Sequence, residues 1–261
     1  MNKYYVGIDL GSRTSKIALL NQNQKIVDFE ILSSGINPNN TAKALFNTVQ
    51  KRNNILEKQI ITIFSTGYGR KTIKSAEKRV SEISCHAKGT TFFFPKAKTI
   101  IDIGGQDSKV ILVNDKGKVI DFAMNDKCAA GTGRFLEVAA NILGTSVDKL
   151  AEIAKQSKND IKISSICVVF AESEIIGLIN KDAKQADIIK AVHKSVAKKT
   201  KNLLSRLSWQ PPIVFTGGVA NNSSMRKELE SILNNKIQSP KIPSFTGAVG
   251  AALKAFEKYE N

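Results

Sequence analysis

Residues 8–31 read IDLGSRTSKIALLNQNQKIVDFEI, and residues 101–124 read IDIGGQDSKVILVNDKGKVIDFAM. Laid over one another at an offset of 93 (101 − 8), they align without a gap. Ten of the 24 positions are identical: Ile8/Ile101, Asp9/Asp102, Gly11/Gly104, Ser15/Ser108, Lys16/Lys109, Leu19/Leu112, Asn21/Asn114, Lys25/Lys118, Asp28/Asp121 and Phe29/Phe122. Chance at ordinary composition gives roughly one or two, so the pattern marks an internal duplication. Each copy follows one plan. An apolar strand ends in Asp, a turn containing Gly follows, and a second strand comes next (16–20; 110–113). A polar turn (21–25; 114–118) then leads into a third strand. Each half therefore opens with a three-stranded meander whose first turn carries Asp, Gly, hydroxyls and Lys. A fainter echo relates Phe64-Ser65-Thr66-Gly67 to Val214-Phe215-Thr216-Gly217.

Outside the repeat, apolar residues at helical spacing predict helices over 40–50, 73–90, 134–143, 186–207, 225–233 and 246–259. In the long helix, Ile189, Val192, Val196 and Leu203 form the inward stripe, and the outer face is rich in lysine. Pro211-Pro212 is read as the break that ends this helix before a strand over 213–216. The expected fold class is α/β with two similar halves. Residues 1–95 with the C-terminal helix 246–261 form the first, and residues 96–245 form the second. Halves of this kind meet at a cleft, where ligands preferentially bind.

Composition narrows the options. At 261 residues and 42% hydrophobic, the chain has enough apolar material for packed cores, which excludes wholesale disorder. The most apolar stretches, 166–171 and 248–253, are far shorter than the ~20 residues of a membrane-spanning helix. The N-terminus reads as a strand over 4–9, not as a signal peptide. Lys and Arg exceed Asp and Glu by 39 − 23 = 16, and the pI is about 9.7. That balance favours acidic partners without choosing among them. Basic and aromatic residues are not interleaved, so nucleic acid is not an expected partner. The three cysteines, Cys85, Cys128 and Cys167, are odd in number and form no CxxC. They point to a reducing cytoplasm, not to a disulfide framework.

Three loops have the chemistry to hold a nucleotide. In Asp9-Leu10-Gly11-Ser12-Arg13-Thr14-Ser15-Lys16, Gly11 lets backbone N–H groups approach phosphate oxygens. The hydroxyls of Ser12, Thr14 and Ser15 and the Lys16 ammonium add donors. Asp9, at the strand end, is placed to reach a hydrated Mg²⁺. Asp102-Ile103-Gly104-Gly105-Gln106-Asp107 repeats the device, with Asp102 as the second Mg²⁺ carboxylate and Gln106 placed to orient a water against a γ-phosphate. Thr216-Gly217-Gly218-Val219-Ala220-Asn221, between a strand and a helix, suits backbone approach to adenosine, with Gly217, Gly218 and Asn221 as contacts. A single such loop is usually an ordinary hairpin, but a duplicated pair plus a third converge on one function. No GxxxxGK[ST] is present, so the chain is not a P-loop protein.

These hairpins with their TGG resemble the actin–hexokinase–Hsp70 class of ATPases, which share a ribonuclease H-like fold. More narrowly, the chain resembles the ATP-dependent activators of 2-hydroxyacyl-CoA dehydratases, the family that also contains the ATPase subunits of benzoyl-CoA reductase. The resemblance rests on GIDLGSRTSK (7–16), STGYGR (65–70), EISCHAKG (82–89), IDIGGQDSK (101–109), MNDKCAAGTGRFLE (124–137), CVVFAESEII (167–176) and FTGGVANN (215–222). It covers nearly the whole chain in order. It implies an ATP- and Mg²⁺-using homodimer that takes one electron from a ferredoxin or flavodoxin and passes it to a dehydratase partner. It also implies one [4Fe–4S] cluster per homodimer, with Cys128 and Cys167 as ligands. Four thiolates are needed and one chain has three cysteines, so two chains related by a two-fold axis supply 2 + 2.

Read without the resemblance, the cysteines are small buried apolar residues. Cys167, in an expected apolar strand over 166–170, fits that reading. Cys128, among Asn125, Asp126, Lys127 and Gly131, does not. The helix expected to start near Thr132 would aim its positive end at the Cys128 sulfur. Cys85 and His86 read as packing residues. Glu172 and Glu174 suit acid–base or metal chemistry, or else a first helical turn capped by Ser173. Arg13 departs from the small or hydroxyl residue common at its position among relatives. Pro240 and Pro243 stiffen the approach to 246–248. The alternative function is a small-molecule kinase of the actin–hexokinase class.

Overall fold

The computed structural model describes residues 2–164 and 167–260. The chain divides into two compact units, one of Met1–Ala97, Val113–Ile120 and Pro240–Asn261, the other of Lys98–Leu112 and Asp121–Ser239.

The first unit is built on β1 (Tyr4–Leu10), β2 (Thr14–Asn21), β3 (Ile26–Ser33), β4 (Ile60–Thr66) and the two-residue β5 (Lys78–Arg79), in the order β3-β2-β1-β4-β5. The duplicated meander supplies the antiparallel pairs β1–β2 and β2–β3, and β4 joins β1 in parallel. β1 is buried on both faces, as a strand covered by helices must be. On one face Val6, Ile8, Leu10, Ile17 and Leu19 pack with Leu45 and Val49 of α1 (Pro38–Arg52), which Asn37 caps. On the other, Ala18 and Leu20 meet Ala248, Val249, Ala252 and Leu253 of the C-terminal helix, Thr246–Glu260. That helix also lies against α2 (Glu82–Phe93) so closely that a Cβ on Gly250 would strike the carbonyl of Cys85. The helix expected over 73–90 is a correction. Its first part is turn and β5, and α2 begins at Glu82, where the Ser81 side chain accepts the N–H of Ser84. Apolar spacing alone missed that capping serine.

The second unit repeats the topology with β6 (Thr99–Ile103), β7 (Ser108–Val113), β8 (Val119–Asn125), β9 (Ile213–Thr216) and β10 (Ile237–Gln238), in the order β10-β9-β6-β7-β8. Its helices are α3 (Gly133–Ile142), α4 (Leu150–Ala154), α5 (Val168–Ile179), α6 (Gln185–Leu204) and α7 (Ser223–Leu233). Ile101, Ile103 and Val110 of the sheet pack with Phe135 and Leu136 of α3, Ile189, Val192 and Val196 of α6, Phe215 of β9 and Leu229 of α7. Two further expectations are corrected here. α6 ends at Leu204, well before the proline pair, and Leu207 and Trp209 fold back onto the core. The expected strand over 166–170 is instead the start of α5. Cys167 is its N-cap residue, and Ile166 lies outside the described residues. A run of apolar residues cannot distinguish a buried strand from a helix by periodicity.

Among the described residues no helix is long and apolar enough to cross a membrane.

Candidate functional site

In the first unit, strand register sets Asp9 opposite Lys16 on one side and Thr66 on the other. Asp9 is buried. The Lys16 ammonium is 3.9 Å from Asp9 Oδ2 and donates to the Thr14 carbonyl at 3.2 Å. The turn after β1 is pinned from behind. The Ser34 N–H donates to the Arg13 carbonyl at 3.0 Å, and Ser34 Oγ donates to the Gly11 carbonyl at 2.5 Å. Ser15 Oγ pairs with Ser34 Oγ at 2.9 Å and is fully buried, so it braces the loop. Ser12 and Arg13 are exposed.

Small residues wall the Asp9 carboxylate. A Cβ on Gly67, where φ is +86°, would strike it, and one on Gly247 would sit 2.9 Å from Asp9 Oδ2 and 3.1 Å from His86 Nε2. His86 is buried, with Nδ1 3.0 Å from Thr246 Oγ1 and Nε2 3.8 Å from Glu82 Oε1. Read in sequence as packing, it is a polar group beside the Asp9 wall. The Cys85 thiol next to it is buried and pushed up to about 12 by that burial, so it stays protonated.

In the second unit, register sets Asp102 opposite Lys109 and Thr216. Thr216 Oγ1 donates to Asp102 Oδ1 at 2.8 Å. Lys109 Nζ lies 3.5 Å from Asp102 Oδ2 and 2.8 Å from Asp107 Oδ2. The turn closes with the Gly104 N–H on the Asp107 carbonyl at 2.9 Å. Gly104 and Gly105 are half-buried and Gln106 is exposed. After β9, Gly217 adopts φ 87°, ψ 174°, and a Cβ there would strike the Ile103 carbonyl. Gly218 faces open space, and Asn221 Nδ2 donates to its carbonyl at 3.0 Å. Asn222 caps α7 through Oδ1 and places Nδ2 3.0 Å from Nε2 of the buried His193. Burial pushes that imidazole down to about 4, so it is neutral near pH 7.

Cys128 is half-buried and opens a 3₁₀ turn, Ala129–Gly131. Its N–H donates to Asn125 Oδ1 at 3.0 Å, and Asn125 Nδ2 donates to its carbonyl at 2.7 Å. The expected aim of the α3 N-terminus at Cys128 is corrected. The Gly133 N–H donates to the Gly104 carbonyl at 2.9 Å, and the Arg134 N–H to the Gly105 carbonyl at 2.8 Å. These N–H groups are spent on the turn 104–107, and Thr132 caps the helix. Cys167 is exposed at the start of α5, a helix that also exposes Val169 and Phe170. Ser173 lies within α5 and does not cap it. Glu174 Oε1 accepts both the N–H and the hydroxyl of Ser164, at 2.8 and 2.9 Å, while Glu172 is exposed. The identity of Lys109 with Lys16 is visible in the repeat, but the two carboxylates that close on its ammonium are not.

Residues 6–255 match the family described as the BadF/BadG/BcrA/BcrD ATPase family. A 2-hydroxyisocaproyl-CoA dehydratase activator of Clostridioides difficile is 43% identical over 98% of this chain and 96% of its own length. The (R)-2-hydroxyglutaryl-CoA dehydratase activating ATPase of Acidaminococcus fermentans is 42% identical over 99% of both chains. A solved activator of the 2-hydroxyisocaproyl-CoA dehydratase from Clostridium difficile, with bound ADPNP, superposes with a TM-score of 0.94 at 42% identity, over 98% of this chain and 96% of that one. A ROK family glucokinase of Streptomyces griseus, 12% identical, shares the fold alone, with a TM-score of 0.61 over 97% and 99% of the two chains.

Proposed function

Because the chain belongs to the BadF/BadG/BcrA/BcrD ATPase family, we propose that this ATPase couples nucleotide hydrolysis to delivery of one electron to a 2-hydroxyacyl-CoA dehydratase or benzoyl-CoA reductase-like partner. Full-length likeness to relatives named as dehydratase activators supports this reading. Nothing comparable favours the kinase alternative, whose neighbour shares only the fold.

Gly11, Ser12, Arg13, Thr14 and Lys16, with Gly104 and Gly105, bind phosphate oxygens of ATP or ADP. Gly217, Gly218 and Asn221 receive the adenosine. Gln106, exposed at the turn, orients the water that attacks the γ-phosphate. The hard carboxylate oxygens of Asp9 and Asp102 suit the water shell of Mg²⁺, which supplies charge neutralisation on the phosphates.

Cys128 and Cys167 fit a soft-donor site, since both stand outside the core as the N-cap residue of a turn or helix. Cys85 does not, because its thiol is buried and held protonated. Two suitable thiols per chain call for a homodimer. A [4Fe–4S] cluster there supplies the one-electron store, loaded by a ferredoxin or flavodoxin in a reducing cytoplasm.

The observation that carries the coupling is the pair of hydrogen bonds from Gly133 and Arg134 to Gly104 and Gly105. The turn offered to phosphate is bonded to the helix that follows Cys128. Nucleotide shifts this element only so far as it contacts its two arrangements differently. The test is anaerobic purification with iron and sulfide counting, and ATP-dependent reduction of a dehydratase. We expect about four irons per two chains. A monomeric, iron-free protein that takes up no iron refutes the electron-transfer reading.

A further inference from the structure

The two copies of the repeat differ at an aligned position that decides what their shared lysine does. Thr14 in the first copy corresponds to Asp107 in the second (107 − 14 = 93). Thr14 offers Lys16 only its backbone carbonyl, at 3.2 Å, and the Lys16 ammonium stands 3.9 Å from Asp9, with its side chain 13% exposed. Asp107 offers Lys109 a carboxylate, at 2.8 Å, and the Lys109 side chain is 1% exposed. The neighbouring threonines have diverged in step. Thr216 donates to Asp102, whereas Thr66, at the matching register position, donates to the Val80 carbonyl at 3.1 Å.

Burying an ammonium costs several kcal/mol unless opposite charge closes around it. Asp102 and Asp107 do so here. If Lys109 extended toward a phosphate it would leave both carboxylates without its charge. Its location serves a different purpose. Through Asp107 it holds one end of the turn 104–107, and through Asp102 it holds the end of β6, whose other carboxylate oxygen is fixed by Thr216. Gln106 lies within the segment so clamped.

We propose that Lys109 is a positioning residue of the ATPase reaction, clamping Asp102 and the turn 104–107, while Lys16 is the ammonium that meets the phosphates. This rests on the nucleotide reading above.

The test uses the full chain, with steady-state MgATP hydrolysis and equilibrium binding of a fluorescent ADP analogue, with and without Mg²⁺. For Lys109→Met we expect kcat to fall ~100-fold, as misplacement of reacting groups does, with KM and the analogue's Kd within ~3-fold of wild type. For Lys16→Met we expect KM and Kd to rise ~10-fold or more, the signature of a lost binding contact. Should Lys109→Met fail to fold, Asp107→Asn changes a partly exposed carboxylate and is expected to lower kcat ~10-fold at unchanged Kd. Analogue binding weakened by Lys109→Met as much as by Lys16→Met would make Lys109 a phosphate contact and overturn the proposal. So would folded Lys109→Met or Asp107→Asn protein with wild-type kcat. A wild-type protein that neither binds the analogue nor hydrolyses ATP fails the parent reading, and this one with it.

Discussion

The backbone N–H of Arg134 donates to the carbonyl of Gly105 at 2.8 Å, so α3 begins on the turn 104–107. Thr132 secures that junction. Its Oγ1 donates to the Ala129 carbonyl at 2.9 Å and accepts from the Arg134 N–H at 3.2 Å. Thr132→Ala should cost about 1 kcal/mol in urea denaturation, the usual worth of a cap. It should also loosen the turn 129–131 against the turn 104–107. We expect ATP hydrolysis within ~2-fold of wild type but ATP-driven electron delivery reduced ~10-fold, a coupling change of the size such junction residues carry. Equal loss of both activities would show that the junction serves folding alone.

The three cysteines should separate cleanly. Cys128→Ala and Cys167→Ala should each abolish iron retention in anaerobic reconstitution while leaving ADP-analogue binding unchanged. Cys85→Ala should keep its iron, because the buried thiol of Cys85 is held protonated and packed against the C-terminal helix. Iron and sulfide counts on the three purified proteins decide the matter. Iron lost from Cys85→Ala and kept in Cys167→Ala would reverse the assignment.

What could be read in the sequence, and what could not, follows from where the information lies. Asp9 and Asp102, with Lys16, Lys109 and the turn glycines, are legible because duplication repeats them at a fixed spacing. Strand register then brings each Asp beside its Lys and Thr. The fate of the two lysines is not legible, since they are the same residue at the same point of the repeat. Only the carboxylate of Asp107, folded back under the turn, separates them. The bonding of the α3 N-terminus is not legible for a similar reason. Its N–H groups are claimed by carbonyls of Gly104 and Gly105, nearly thirty residues upstream, and no local pattern encodes that meeting. Cys167 reads as part of a strand because an apolar run carries no period of its own.

Gly217 and Gly218 are neighbours with different duties, and substitution should tell them apart. Gly217 holds a backbone conformation open to glycine, and a methyl there would strike the Ile103 carbonyl. Gly217→Ala should therefore destabilise the protein by about 1–3 kcal/mol or more, seen as a lowered urea midpoint. A Cβ on Gly218 meets nothing within 4 Å. Gly218→Ala should unfold like wild type and yet bind the ADP analogue ~10-fold more weakly, about 1.4 kcal/mol, if its backbone lies against adenosine. Unchanged affinity would remove Gly218 from the nucleotide site.

The pair His193 and Asn222 gives the second unit a pH dependence whose sign can be worked out. Asn222 Nδ2 donates to His193 Nε2 at 3.0 Å, which requires that nitrogen to be unprotonated, and the ring is fully buried. Burial lowers the folded pKa to about 4 from an ordinary 6.5. Below 6.5 the unfolded chain takes up a proton that the folded chain refuses, so stability falls as pH drops. The loss saturates near pH 4, where the folded imidazole titrates too. Integrated over that window it amounts to about 3 kcal/mol. Carboxylates contribute over part of the same range, so the measurement is a difference. Urea denaturation of wild type and His193→Gln is compared from pH 8 to pH 4. Glutamine keeps an acceptor for Asn222 and does not titrate, so its curve should lie flatter than that of wild type between pH 6.5 and 4. Parallel curves would mean that His193 is protonated, or solvated, in the folded protein.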